Sequence, residues 1–165
     1  MTVTIERESD IPLPFSEQEV AEAVISETLD YEDCPYEAQV NIILTTNEEI
    51  QQINLEQRGV DAPTDVLSFP MIDYAYPSDF TVLEAGGMDS FDPDTGELIL
   101  GDIVISVDKV IEQAEKYNHC VKREYAFLIT HSMLHLFGYD HMDEVERENM
   151  ELKQDEILKR LNITR

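Results

Sequence analysis

The chain has 165 residues and is strongly acidic, with 36 Asp and Glu against 11 Lys and Arg and a formal net charge of −25. Its length is ample for a single domain over residues 1–165, and its two cysteines exclude a disulfide framework and predict a reducing, cytoplasmic compartment. The charge argues against indiscriminate binding to polyanions, and no apolar run approaches the roughly 18 residues that would cross a membrane.

The first half of the chain alternates the patterns of strands and helices. Residues 3–6 alternate apolar and polar side chains, and residues 39–45 form a β-branched, apolar run that predicts a buried strand. Between them, Ser16 is a candidate helix N-cap, after which apolar residues recur at helical spacing. A second helix is predicted over residues 48–57, and Gly59 ends it.

The second half predicts two further strands, one long loop and three helices. The loop, residues 73–96, is rich in Asp, Gly and Pro, which predicts an acidic surface segment. Gly101 lies inside a strand pattern and marks a bulge or a close backbone approach. The strands are predicted over residues 64–69 and 98–107, and the helices over residues 108–118, 122–137 and 143–161. About four strands and about five helices predict an α/β (α+β) fold with a small mixed sheet.

Three of the four histidines, His131, His135 and His141, lie close together in the sequence. The first two are four positions apart on a predicted helix, so they project from one face, about 6 Å apart along the axis. Gly138 ends that helix and reverses the chain, which brings His141 back as a third ligand. Three neutral imidazoles suit zinc, and also nickel, copper or iron, and leave one position open for water or substrate. The pattern therefore predicts a catalytic metal site.

The spacing of these histidines is also that of the metzincin zinc proteases. Those enzymes need a glutamate directly after the first histidine, as the general base for peptide hydrolysis. Here Ser132 occupies that position, and a serine hydroxyl cannot act as a carboxylate base near neutral pH. A protease is therefore the weaker hypothesis.

Arg58 is the only basic residue between positions 8 and 108, and it lies beside Gly59. A lone arginine among so many acidic residues can be an ion-pair partner, and its position alone favours that interpretation. Its planar guanidinium group also suits a phosphate, and a turn before a strand can present it to a cleft. Both interpretations stay open on the residues alone.

Three segments of the chain together resemble the YbeY family of bacterial rRNA-maturation endoribonucleases. The first begins at Arg58 and reads RGVDAPTDVLSFP, the second reads LGDIVIS, and the third reads HSMLHLFGYDH and ends at His141. The resemblance covers residues 55–141, and the flanks fit in length and helical character only. The chain departs from the family pattern at Ser132, where glycine is usual, and in its long acidic loop.

The resemblance implies a cytoplasmic, metal-dependent hydrolase that cleaves single-stranded RNA in 16S rRNA 3′-end maturation and ribosome quality control. It implies that His131, His135 and His141 bind one zinc ion per chain, with nickel as an alternative, and that Arg58 takes part in the activity. The implied partners are single-stranded RNA, the 16S rRNA precursor and the ribosome or its proteins. The implied fold, one α/β domain with a small mixed sheet, agrees with the predicted strands and helices.

Two other functional classes stand beside this hypothesis. One is a zinc peptidase whose catalytic carboxylate comes from elsewhere in the chain. The other is a non-catalytic assembly factor that docks on rRNA or on a ribosomal protein. The net charge favours a protein partner, or RNA that a ribosome already presents, because free RNA would meet a repulsive field.

Four further polar residues receive weaker interpretations. Asp65 and Asp102 lie in predicted strands or at their ends, and we expect them to be buried and hydrogen-bonded rather than catalytic. Asp140 precedes the third histidine and either orients a ligand imidazole or caps the turn. His119 lies outside the motif and is expected to be an exposed loop residue.

Overall fold

The computed structural model describes residues 1–84 and 87–163, and within them the chain forms four strands and five α-helices. In chain order these are β1 (Thr2–Arg7), α1 (Glu17–Tyr31), β2 (Ala38–Thr45), α2 (Asn47–Arg58), β3 (Val66–Pro70), β4 (Leu98–Ser106), α3 (Val107–Lys116), α4 (Val121–Leu136) and α5 (Glu144–Arg160). The predicted α/β fold with a small mixed sheet is confirmed. None of the helices in this described part combines the length and the apolar character that a membrane crossing requires.

Local sequence signals set the ends of the helices. The hydroxyl groups of Ser16 and Thr46 each accept a hydrogen bond from the amide three residues later, and so cap the N-termini of α1 and α2. At the other end of α2, Gly59 has a φ of 71°, a left-handed conformation that lets the chain leave the helix. Arg58 is therefore held as the last residue of a helix, directly before a turn.

The sheet has the strand order β1-β2-β4-β3, with β1, β2 and β4 parallel and β3 antiparallel to β4. The register between β2 and β4 shifts by one residue: Gln39 pairs with Ile99, whereas the next residue, Val40, pairs with Gly101, so that Leu100 is left over as a bulge. A Cβ atom on Gly101, whose φ is 147°, would lie 2.2 Å from the carbonyl oxygen of Phe69 in β3. Both the bulge and the close backbone approach predicted at this glycine are present.

Helices cover both faces of the sheet, and this explains why β4 is an almost continuous apolar run. On one face, α1, α3 and α4 share the main core with the strands, where Ile129 of α4 and Ile42 of β2 are fully buried. On the other face, Ile50 of α2 packs in a smaller cluster with Leu67 and Val104. Helix α5 lies against α4 on the outside. Helix α4 therefore carries its histidines while packed between the sheet and α5.

The predicted acidic loop, residues 73–96, is only in part a surface segment. It contains two short 3₁₀ helices, Phe80–Leu83 and Gly87–Ser90. The ring of Phe80 packs edge-on against Phe137 at the end of α4, with the ring centroids 5.7 Å apart. These aromatic contacts tie the loop to the core, so the prediction of a surface segment was wrong for this part; residues 85–86 lie outside the described residues.

Candidate metal centre

The three histidines that the sequence singled out lie around the C-terminal end of α4. His131 and His135 share one face of the helix, and the helix ends directly after them. The amides of Gly138 and Tyr139 donate to carbonyl groups of the last helical turn at 3.0 Å, and Gly138 has a φ of 96°. This helix ending reverses the chain and brings His141 back beside the other two rings.

The geometry of this cluster fits a tetrahedral metal ion. Nitrogen atoms of His131, His135 and His141 all lie within 4.8 Å of one another, and the Nε2 atoms of the first two are 3.1 Å apart. Two ligand nitrogens at tetrahedral angles, each about 2.0–2.1 Å from a zinc ion, would be about 3.3–3.4 Å apart. The separation of the Nε2 atoms of His131 and His135 is thus close to the one that zinc requires, and a nitrogen atom of His141 lies within 4.8 Å of both.

Burial keeps the imidazole groups of α4 neutral at pH 7. Burial lowers the pKa of His131 to about 4, and the nearby imidazoles of His135 and His141 act in the same direction. Burial also lowers the pKa of His135, whose Nδ1 donates a hydrogen bond to the carbonyl oxygen of Tyr139 at 2.9 Å. Because a carbonyl oxygen only accepts, the proton of this neutral ring is on Nδ1, and the lone pair of Nε2 faces the centre of the cluster.

Ser132, which follows the first histidine, is fully buried and plays no part in the open cleft. Its hydroxyl group forms a hydrogen bond with the hydroxyl of Ser68, so it links α4 to β3. No carboxylate stands at the position where the zinc proteases have their glutamate base. This contact gives the departure from the family pattern at Ser132 a structural role.

Arg58 opens onto the same cleft as the three histidines. The cleft has a volume of about 720 Å³, and Arg58 and all three imidazoles are among the side chains that line it. Within residues 1–84 and 87–163, the guanidinium group of Arg58 has no hydrogen-bond or ion-pair partner. The ion-pair interpretation therefore finds no support in the described chain, and the guanidinium group is available to bind an anion.

The three aspartates that the sequence analysis singled out, Asp65, Asp102 and Asp140, have structural hydrogen bonds. Asp140 caps the turn, since its carboxylate accepts from the backbone amide of His141 at 2.8 Å. Asp65 and Asp102 are half-buried rather than buried, and both are hydrogen-bonded as expected. Asp65 also lines the cleft beside His131, so its negative charge is part of the surroundings of the site.

His119, the fourth histidine, is not the exposed loop residue that the sequence predicted. Its side chain is 5% exposed, and its Nε2 atom lies 2.8 Å from the carboxylate of Glu124, which is 3% exposed. The chain turns after α3 and brings this ring onto the first turn of α4, a contact that the local pattern does not reveal. His119 lies outside the histidine cluster and forms a separate buried pair.

Sequence reasoning missed Gln154, a residue of α5 that contacts the cluster. Its side chain is only 2% exposed, and its amide nitrogen lies 2.7 Å from Nδ1 of His131. The ring of Phe127, one turn earlier in α4, stacks on the ring of His131 with 6.3 Å between the centroids. The available signal was a glutamine at an apolar position of α5, in helical spacing with Met150 and Ile157.

The fold and the site define a class of protein: a small mixed-sheet α/β protein with an open three-histidine cleft at the end of its central helix. The family model described as endoribonuclease YbeY matches residues 3–162 of the chain. The chain therefore belongs to the endoribonuclease YbeY family. As a member of that family it is an enzyme of the hydrolase class, an endoribonuclease.

Individual relatives extend this match over the full length. Proteins named endoribonuclease YbeY from Lachnoclostridium phytofermentans and Agathobacter rectalis are 55% and 58% identical over 165 residues, with 100% of each chain covered. A solution structure from Thermotoga maritima matches with a TM-score of 0.55 and 24% identity, covering 97% of this chain and 91% of that one, and it shows the fold alone. The resemblance predicted from three motifs is confirmed, and it includes the flanks.

Proposed function

We propose that this chain cleaves single-stranded RNA at a zinc centre held by His131, His135 and His141, with Arg58 binding the phosphate. One observation carries the proposal. A single cleft holds three converging imidazole groups and an arginine without a protein partner among residues 1–84 and 87–163. The family to which the chain belongs supports a role in 16S rRNA 3′-end maturation and ribosome quality control, in the cytoplasm, with the ribosome or its proteins as partners.

The side chains of the cleft supply binding and charge stabilisation. When bound, a divalent ion at the three histidines polarises a phosphoryl oxygen and lowers the pKa of water. The neutral imidazoles of His131 and His135 leave the positive charge of such an ion uncompensated toward the substrate. The guanidinium group of Arg58 donates hydrogen bonds to the non-bridging oxygens of the phosphodiester and offsets the negative charge that grows during cleavage.

Water and the 2′-hydroxyl of the RNA are both nucleophiles that this open cleft admits, and the ends of the products distinguish them. Attack by the 2′-hydroxyl displaces the 5′-oxygen of the next nucleotide and leaves a 2′,3′-cyclic phosphate. Attack by water leaves a linear phosphate from the start. A substrate with one deoxynucleotide at the cleavage site is cut only by the water route.

The experiment that tests the proposal is cleavage of a labelled single-stranded RNA by zinc-loaded protein, with the zinc content of each sample measured. The wild type is compared with His135→Ala, which removes a ligand, and with His119→Gln, a control substitution of the histidine outside the cluster. All three proteins are purified identically, because contaminating ribonucleases are the main hazard.

We expect the wild type and His119→Gln to bind zinc and cleave the RNA, and His135→Ala to do neither. Equal cleavage by all three proteins would show that the activity does not come from the histidine site. Zinc binding without any cleavage by the wild type would also overturn the proposal for the isolated chain. The His119→Gln control separates loss of a ligand from a general effect of replacing a buried histidine.

A further inference from the structure

In both His131 and His135, the ring nitrogen Nδ1 has a hydrogen-bond partner of its own. In His135, Nδ1 donates to the carbonyl oxygen of Tyr139, which leaves Nε2 with a lone pair for the cluster. In His131, Nδ1 faces the side-chain amide of Gln154 at 2.7 Å. The first partner can only accept, whereas a glutamine amide carries both an acceptor oxygen and a donor nitrogen.

Which end of the Gln154 amide must face His131 depends on which nitrogen of the His131 ring carries the proton. The Nε2 atom of His131 is the one that points at Nε2 of His135, 3.1 Å away, so it is the atom available to a metal ion. A neutral imidazole that binds a metal through Nε2 has its proton on Nδ1. That N–H group needs an acceptor, and the only acceptor on the side chain of Gln154 is Oε1.

The two ends of a glutamine amide exchange places by a rotation of about 180° about the last side-chain bond, with almost no change in shape. Since the amide nitrogen lies 2.7 Å from Nδ1 of His131, this rotation places Oε1 at hydrogen-bond distance from the same atom. No movement of α5 is needed. The site therefore already contains the acceptor that the metal-binding form of His131 requires.

We infer that Gln154 is a positioning residue of the metal centre, whose Oε1 accepts the Nδ1–H of His131 and so holds Nε2 of that ring toward the ion. The inference rests on the proposed zinc centre. Its location supports this role, because Gln154 is 2% exposed on the face of α5 that packs against α4, between the buried Met150 and Ile157. A polar side chain at such a position needs a specific hydrogen-bond partner, and His131 is that partner.

Helix α5 thus connects two parts of the centre. It begins at Glu144, three residues after His141, with Asp143 as its N-cap. Its third turn returns to α4 and places Gln154 on His131. One helix therefore begins three residues after the third histidine and contacts the first histidine further along.

Two substitutions of similar volume test the inference by zinc affinity, measured by competition with a chromogenic chelator. Gln154→Met removes the amide and keeps an unbranched side chain, whereas Gln154→Glu offers only acceptor oxygens. We expect Gln154→Met to bind zinc about 10–100-fold more weakly and Gln154→Glu to match or exceed the wild type. Urea unfolding of the metal-free proteins shows whether each variant folds.

A folded Gln154→Met protein with wild-type zinc affinity would overturn the inference, and so would an equal loss of affinity in both variants. The wild type provides an independent readout, the ¹⁵N imidazole spectrum of the zinc-loaded protein. We expect His131 to show a protonated Nδ1; coordination through Nδ1 would refute the role of Gln154. Failure of the wild type to bind zinc would instead refute the proposed function on which the inference rests.

Discussion

Acidification of the metal-free protein should destabilise it through His131, because the folded state holds this ring neutral. Burial lowers the pKa of His131 to about 4, whereas the unfolded chain binds the same proton at a pKa of about 6.5. Between these two values the unfolded state binds more protons, so the free energy of unfolding decreases as the pH falls through this window. This one group therefore lowers the free energy of unfolding by about 2 kcal/mol at about pH 5 relative to about pH 7.5.

The assay is urea unfolding with a metal chelator present, at several pH values across this range, for the wild type and for His131→Gln. Both proteins contain the same other carboxylates and histidines, so the contribution of those groups to the pH dependence of stability cancels when the two proteins are compared. The low pKa of His135 arises from its own burial and from His141, and both remain in the variant. We expect the stability difference between wild type and variant to change by about 2 kcal/mol between about pH 7.5 and pH 5. Parallel stability curves would refute the reasoning.

Two further predictions address the sheet and the cleft. Gly101→Ala should destabilise the protein by about 2–4 kcal/mol in urea unfolding, because its Cβ would lie 2.2 Å from the carbonyl oxygen of Phe69. Gly59→Ala, where φ is also positive but lies in the αL region and nothing is within 4 Å of the added Cβ, should lose only about 1 kcal/mol; equal losses in the two variants would contradict a clash at Gly101. Arg58→Ala should lower the single-turnover rate of RNA cleavage about 100-fold with unchanged zinc affinity, and an unchanged rate would exclude Arg58 from phosphate binding.

The features that the sequence predicted are those set by residues close together in the chain. Ser16 lies three residues before the amide that it caps, and Gly59 ends a helix through its own backbone conformation. The spacing of His131 and His135 fixes their common face without reference to any other element. The return of His141 follows from one glycine turn, so the cluster itself is also a local feature.

The features that the sequence did not predict depend on contacts between distant parts of the chain. Gln154 lies 23 positions after His131, and only the packing of α5 on α4 brings them together. The loop over residues 73–96 has an acidic composition, yet its aromatic side chains reach Phe137. His119 is a different case: its ring contacts Tyr117 and Glu124, which are near in sequence, but it is the turn between α3 and α4 that brings them together. Composition and periodicity describe exposure on average, and they do not identify the partner of a single polar residue.

Under the proposed function, the acidity of the chain would give a bound metal ion a second role, in substrate binding. The overall charge is −25, and the charged groups that line the cleft are Arg58 and the carboxylates of Asp65, Asp73 and Asp140. With histidine counted as neutral, one positive and three negative groups give the cleft a formal charge of −2. A phosphodiester would therefore meet a repulsive site. A divalent ion held by the histidines would bring that local charge to zero and place positive charge on the same cleft as Arg58. Under the proposed function, an ion held by the three histidines would therefore serve both to activate the phosphate and to let the phosphate enter the cleft.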